Sequence, residues 1–166
     1  MKKCLFLFLF LVSLQFAFGQ TDSTIKAPYL RFPKFPPVNL VLSDSSVFNK
    51  ESFDKKSTVF LMLFSPDCDH CQHETEEIIK NIEQFKKTQI VMATWMPFEK
   101  MLEFRIKFGL EKFSNIIVGH DKGFFLPAFF NVRNLPFLAF YNKNKELISV
   151  FEGNMPIGKV IEELKK

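Results

Sequence analysis

Cysteine is scarce in this chain, with three in 166 residues, which excludes a disulfide-stapled scaffold. Tryptophan and tyrosine are nearly missing as well, at one and two, but 23 phenylalanines raise the aromatic share to 16% and the hydrophobic set stands at 47%. That is enough apolar area for one globular domain and excludes wholesale disorder. Neither sign of charge dominates. Twenty-two basic against 18 acidic residues leave a formal +4, and the basic ones fall in short runs such as Lys86-Lys87 or Lys165-Lys166, so no nucleic-acid-binding stripe is present. The six glycines form no phosphate-cradling loop, and neither a catalytic Ser-His-Asp motif nor a paired-carboxylate constellation is apparent. No internal repeat is visible, and no organic cofactor is implied.

Long apolar runs are also few. The longest, CLFLFLFLVSLQFAF over residues 4–18, follows Lys2 and Lys3 and is closed by Ala17-Phe18-Gly19. Its 15 residues fall short of the ~20 that cross a bilayer core. The small residues flanking Phe18 match a signal-peptidase site, so residues 1–19 are expected to be a secretory signal cleaved between Gly19 and Gln20, taking Cys4 with it. The mature chain from Gln20 would hold 20 basic and 18 acidic residues, with no stable membrane span. Its only thiols would be Cys68 and Cys71, in the sequence FSPDCDHCQHE. A spacing of two residues is too short to staple a large loop, but it lets two thiols close a small reversible ring at the start of a helix.

The chain around the pair alternates its periodicity. Residues 58–64 (TVFLMLF) are a nearly continuous apolar run between charged DKK and Ser-Pro, the pattern of a strand covered on both faces. From Cys68 to Lys87, Ile78, Ile79, Ile82 and Phe85 recur at helical spacing opposite Glu76, Glu77, Lys80 and Lys86. His73 and Glu74 read as surface residues of the first helical turn. A second strand over 88–95 leads to a helix opened by Pro97, and 115–118 make a short third strand. Residues 124–132, interrupted by Pro127, are expected to form a short helix or turn. FLAFY and ELISVF on either side of 142–145 read as a hairpin, and Ile157, Val160, Ile161 and Leu164 mark a closing amphipathic helix. The fold class is therefore α/β, a central mixed sheet flanked by helices. Residues 20–37, with four prolines between 28 and 37, are expected to be an extended N-terminal addition to a domain over 38–166, in which 38–42 would add an edge strand.

The apolar strand ending at Phe64, Cys68-Asp69-His70-Cys71 at the next helix start and Leu135-Pro136 just before the hairpin together resemble the thioredoxin fold. Over residues 38–166 the chain is most similar to exported thiol-disulfide oxidoreductases of the TlpA and thioredoxin-like group. The resemblance implies that Cys68 is the exposed nucleophile and Cys71 the resolving thiol. It makes Pro136 a cis proline opposite them, which helps align a bound peptide. His70 then occupies the position of a residue that tunes the first thiol in exported disulfide oxidants. The implied partners are an exported cysteine-containing protein and a separate redox protein, in the periplasm or otherwise outside the cytoplasm.

Elementary chemistry assigns the same two roles. Unpaired N–H groups and the helix dipole at a helix N-terminus favour an anionic Cys68, and Cys71 one turn on is placed to attack the mixed disulfide that Cys68 forms. Three departures from the family pattern stand out. Pro66-Asp67 replaces the Trp-containing approach, C-D-H-C replaces C-G-P-C, and Met62 occupies the strand position of thioredoxin's buried acid. Resolution would then draw on water or another base.

Two other classes stay open. Cys68, Cys71 and His73, with His120, could bind zinc or copper. The pair could also be a stable bond in a noncatalytic binding protein. The P-x-x-x-T-x-x-C run of a thiol peroxidase is absent. Phe64 and Trp95 are read first as core and second as a substrate-facing border.

Overall fold

A computed structural model describes residues 26–166; the expected signal, Cys4 and the cleavage site lie outside the described residues. The centre of the molecule is the apolar run, which forms β3 (Thr58–Leu63). Its side chains alternate between two cores, as a strand buried on both faces requires. Val59, Leu61 and Leu63 enter one, with Phe129, Phe130, Phe137 and Tyr141. Phe60, Met62 and Phe64 enter the other, with Cys71, Ile78, Phe85 and Phe104.

With two short strands near the start of the described residues, β1 (Leu40–Val41) and β2 (Val47–Phe48), seven strands make one mixed sheet in the order β2-β1-β5-β4-β3-β6-β7, where β4 is Thr88–Thr94, β5 Ile116–His120, β6 Phe137–Tyr141 and β7 Leu147–Glu152. β4 and β5 run parallel to β3 and to each other in turn. β6 and β7 form the expected hairpin, with β6 antiparallel to β3. In this register Leu63 faces both Ala93 and Phe137, so the end of β3, the end of β4 and the start of β6 meet at one edge of the sheet. The site is built on that edge. Helix α2 (Asp69–Lys80) follows β3, α3 (Phe98–Lys107) follows β4, α4 (Phe125–Phe130) lies between β5 and β6, and α5 (Ile157–Glu163) closes the chain. Together these elements are the thioredoxin-like α/β fold with an N-terminal extension.

Several boundaries differ from the sequence reading. The helix expected from Cys68 to Lys87 stops at Lys80, where the Asn81 side chain donates to the Glu77 carbonyl at 2.9 Å; a 3-10 turn over Ile82–Phe85 then buries Phe85 separately. The edge strand expected over 38–42 is β1 (Leu40–Val41), but it is not outermost, because β2 (Val47–Phe48) pairs beyond it. Beneath β1 the sheet needs Gly119, where a Cβ would lie 2.6 Å from Leu40 Cβ. The proline-rich segment is not wholly extended. It holds a turn of helix, α1 (Pro28–Arg31), with Pro28 at a first helical position where its missing N–H costs nothing. Beyond it, Phe35 packs on Phe53 and Tyr141, and its N–H donates to the Lys145 carbonyl at 2.9 Å.

Candidate functional site

Phe64 leaves β3 with its N–H bonded to the Ala93 carbonyl at 3.0 Å, and Ser65-Pro66-Asp67 turn the chain into α2. Cys68 is the N-cap of that helix. Its Sγ accepts the Cys71 backbone N–H at 3.3 Å and the Cys71 thiol at 2.7 Å, so two donors converge on one sulfur. Both residues are free thiols, and they are unequal: Cys68 is half-buried, whereas Cys71 has no exposed surface. Burial, then the hydrogen bond to Cys68, pushes the Cys71 thiol well above the ordinary range. The arrangement is an accessible sulfur backed by a buried protonated one, in contact.

Leu135-Pro136 is a cis peptide, and Pro136 is buried at the mouth of β6, its carbonyl accepting the Gly153 N–H at 2.8 Å. The register of β3 against β6 brings it to the sheet edge from which Cys68 emerges. His70 is exposed, and its carbonyl accepts Asn154 Nδ2 at 2.7 Å. Two further bonds brace the approach to Cys68: Gln72 Nε2 donates to the Pro66 carbonyl, and Lys107 Nζ on α3 donates to Gln72 Oε1, each at 2.8 Å.

The reading of Glu74 as a surface residue is corrected. It is 1% exposed, because the loop after β7 folds over the first turn of α2. Glu74 Oε2 accepts Asn154 Nδ2 at 3.2 Å and the Met155 N–H at 3.1 Å, while Oε1 is buried without a partner. Burial raises the pKa of this carboxyl, against the two hydrogen bonds. The sequence carried a signal for it: Cys71, Glu74, Thr75 and Ile78 share one helical stripe, and all four are buried. Nothing in the sequence pointed to Asn154, which reaches the site across 84 residues.

Phe64 is fully buried, 4.4 Å from the Phe104 ring, so of the two candidate border residues only Trp95 is partly exposed, edge-on to Phe124 at 5.5 Å. Met62 is fully buried among apolar side chains in the core that holds Cys71. Among the described residues no three His, Cys, Asp or Glu side chains gather as a metal site, so Cys68, Cys71, His73 and His120 do not assemble into one. His120 instead lies against the Phe98 ring at 5.9 Å.

No protein-family model and no curated protein matches the sequence. Solved structures do match in shape. A secreted disulfide oxidoreductase of Mycobacterium tuberculosis aligns with a TM-score of 0.65 at 16% identity, over 78% of this chain and 95% of its own. A thioredoxin-like protein from Aeropyrum pernix gives 0.64 at 15%, over 82% and 91%. The exposed lipoprotein thioredoxin of Streptococcus pneumoniae gives 0.55 at 22%, over 76% and 96%. At these identities the likeness establishes the fold.

Proposed function

We propose that this protein is an exported thiol-disulfide oxidoreductase acting through Cys68 and Cys71. The observation that carries the reading is the pairing of the partly exposed Cys68, whose sulfur is addressed by two donors at a helix N-terminus, with the buried Cys71 thiol at 2.7 Å. The M. tuberculosis structure of the same fold is described as a secreted disulfide oxidoreductase, which agrees with the signal read over residues 1–19. In the reducing direction, the Cys68 thiolate attacks one sulfur of a substrate disulfide; a mixed disulfide forms and the other substrate sulfur leaves as a thiolate that takes up a proton. Cys71 then gives up its proton, attacks Cys68 Sγ and releases the second substrate thiolate. The two electrons have passed to the substrate, and a separate dithiol partner restores the pair. Run backwards, the same steps oxidise a dithiol, and the potential of the pair decides between them.

Pro136 is assigned to the substrate-facing rim, where the neighbouring backbone of Leu135 pairs with an extended peptide. His70, exposed between the cysteines, is assigned to tuning Cys68. The acid that Met62 does not supply is assigned to Glu74, one helical turn beyond Cys71, whose raised pKa and free Oε1 suit it to take up the resolving proton. Trapping tests the reading. The Cys71→Ser protein should accumulate reductant-sensitive adducts through Cys68 with envelope proteins, and the Cys68→Ser, Cys71→Ser double variant should show none. A folded Cys71→Ser protein that forms no adduct refutes the mechanism, and a redox potential above that of glutathione would reverse the direction.

A further inference from the structure

Seven large apolar side chains are exposed among the described residues, and four of them, Leu30, Phe32, Phe124 and Phe125, belong to α1, α4 and the residues beside them. Phe32 and Phe124 are 59% and 53% exposed, far beyond the partial exposure usual for a phenylalanine. Between the two segments runs a groove of about 720 Å³, lined chiefly by Phe32, Phe35, Pro37, Phe124, Phe125 and Phe129. Phe124 takes φ 53° and ψ 31°, a left-handed conformation that is strained for a non-glycine residue. It holds a solvent-facing ring there.

Residues 26–37 and 122–133 hold five cations, Lys26, Arg31, Lys34, Lys122 and Arg133, with no carboxylate within either segment. Lys34 is paired with Glu146 at 3.7 Å; among the described residues the other four have no ion-pair partner. The carboxylate next in sequence, Asp121, is buried and spent on the N–H groups of Phe125 and Leu126. From Gln20 onward the remainder of the chain holds 15 basic and 18 acidic residues, so the excess of positive charge lies in these two segments.

We propose that the α1/α4 face docks this protein on the surface of an anionic phospholipid bilayer. The phenylalanine and leucine side chains would enter the boundary between headgroups and acyl chains, and the cations would lie among the lipid phosphates. Lys26, Arg31, Lys122 and Arg133, the cations of these segments that no carboxylate pairs among the described residues, complement an anionic lipid surface and repel a basic one, and the apolar side chains of the contact are already exposed.

Vesicle co-sedimentation tests this, using the exported protein with whatever N-terminus the producing cell leaves on it. Vesicles of equal parts phosphatidylethanolamine and phosphatidylglycerol should bind it at least about tenfold better than phosphatidylcholine vesicles, and raised salt should weaken that binding several-fold. The Phe32→Asp, Phe124→Asp variant should partition about tenfold less or worse. Arg31→Glu with Lys122→Glu should fall to the phosphatidylcholine level; these charged side chains decide the matter if circular dichroism shows the phenylalanine variant to be misfolded. Equal binding to both vesicle types would overturn the proposal, as would variants that bind like the parent through some other part of the chain. A dimer in sedimentation that is lost on changing Phe32, with no vesicle binding, would assign the face to a second copy instead.

Discussion

Glu74 combines two states that ordinarily exclude each other, a carboxylate taken out of water and one oxygen without a donor. Its pKa is raised in the fold, so between the ordinary value of 4.5 and that raised value the folded protein holds a proton that the unfolded chain has lost. The contribution of Glu74 to stability is therefore fully present below pH 4.5, falls as pH rises through this window and levels off above the raised pKa. In Glu74→Gln that decline should be absent, leaving the variant with a flatter urea-midpoint profile between about pH 4 and pH 8 than its parent. Its resolving step, read as decay of the mixed disulfide, should slow by about tenfold or more and lose the limb that reports a carboxyl base. An unchanged decay rate with a flattened stability profile would leave Glu74 a structural residue and return proton uptake to water. The cysteines were legible because their spacing has few uses, whereas Glu74 was not. Among its neighbours Glu76, Glu77 and Lys80 it looks like one more solvated charge, until Asn154 and Met155 fold over it from a loop some eighty residues away.

At the scale of elements, the readable ones were those with a long or two-faced apolar pattern. β3 declared itself by a continuous apolar run and α2 by a period of 3.6, while β1 and β2 have only two residues each, too few for any pattern to show. α4 was legible only as a helix or turn because Pro127 interrupts its sequence. In the fold that proline is the third helical residue, where no intrahelical bond is lost. The helix instead depends on a residue before it. Asp121 is 2% exposed and splits its carboxylate between the N–H groups of Phe125 at 3.1 Å and Leu126 at 2.7 Å, so both donors at the buried end of α4 rely on it. Asp121→Ala should lower the stability by about 1–3 kcal/mol, the cost of an N-cap joined to that of buried donors left unpaired. Asp121→Asn, which keeps one acceptor oxygen, should fall between the two in urea unfolding. Equal stability of all three proteins would mean that α4 is held by the packing of Leu126, Phe129 and Phe130 alone.

Across the whole molecule, the two cores meet at the sheet, and the alkaline limit of the fold should be set there. The Tyr141 ring is fully buried against Phe35, and its hydroxyl has no partner. Burial raises its pKa, as it does that of Cys71 on the opposite side of the sheet. For both groups the folded state keeps a proton that the unfolded chain releases, from about pH 9 for the cysteine and about pH 10 for the tyrosine. Below those values nothing is lost; above them the unfolded state binds fewer protons, so stability falls with each further rise in pH, and falls more steeply once the tyrosine joins the cysteine. Removing the hydroxyl separates the two. Tyr141→Phe deletes a polar group that has no hydrogen bond to lose, so at neutral pH it should be without effect or stabilising by about 1 kcal/mol. Its near-ultraviolet circular dichroism should persist to higher pH than that of the parent, while the shallower decline that begins near pH 9 remains because Cys71 is untouched. A variant less stable at neutral pH would show that the hydroxyl is satisfied in solution, and an unchanged alkaline midpoint would place the limit with Cys71 and not with the tyrosine.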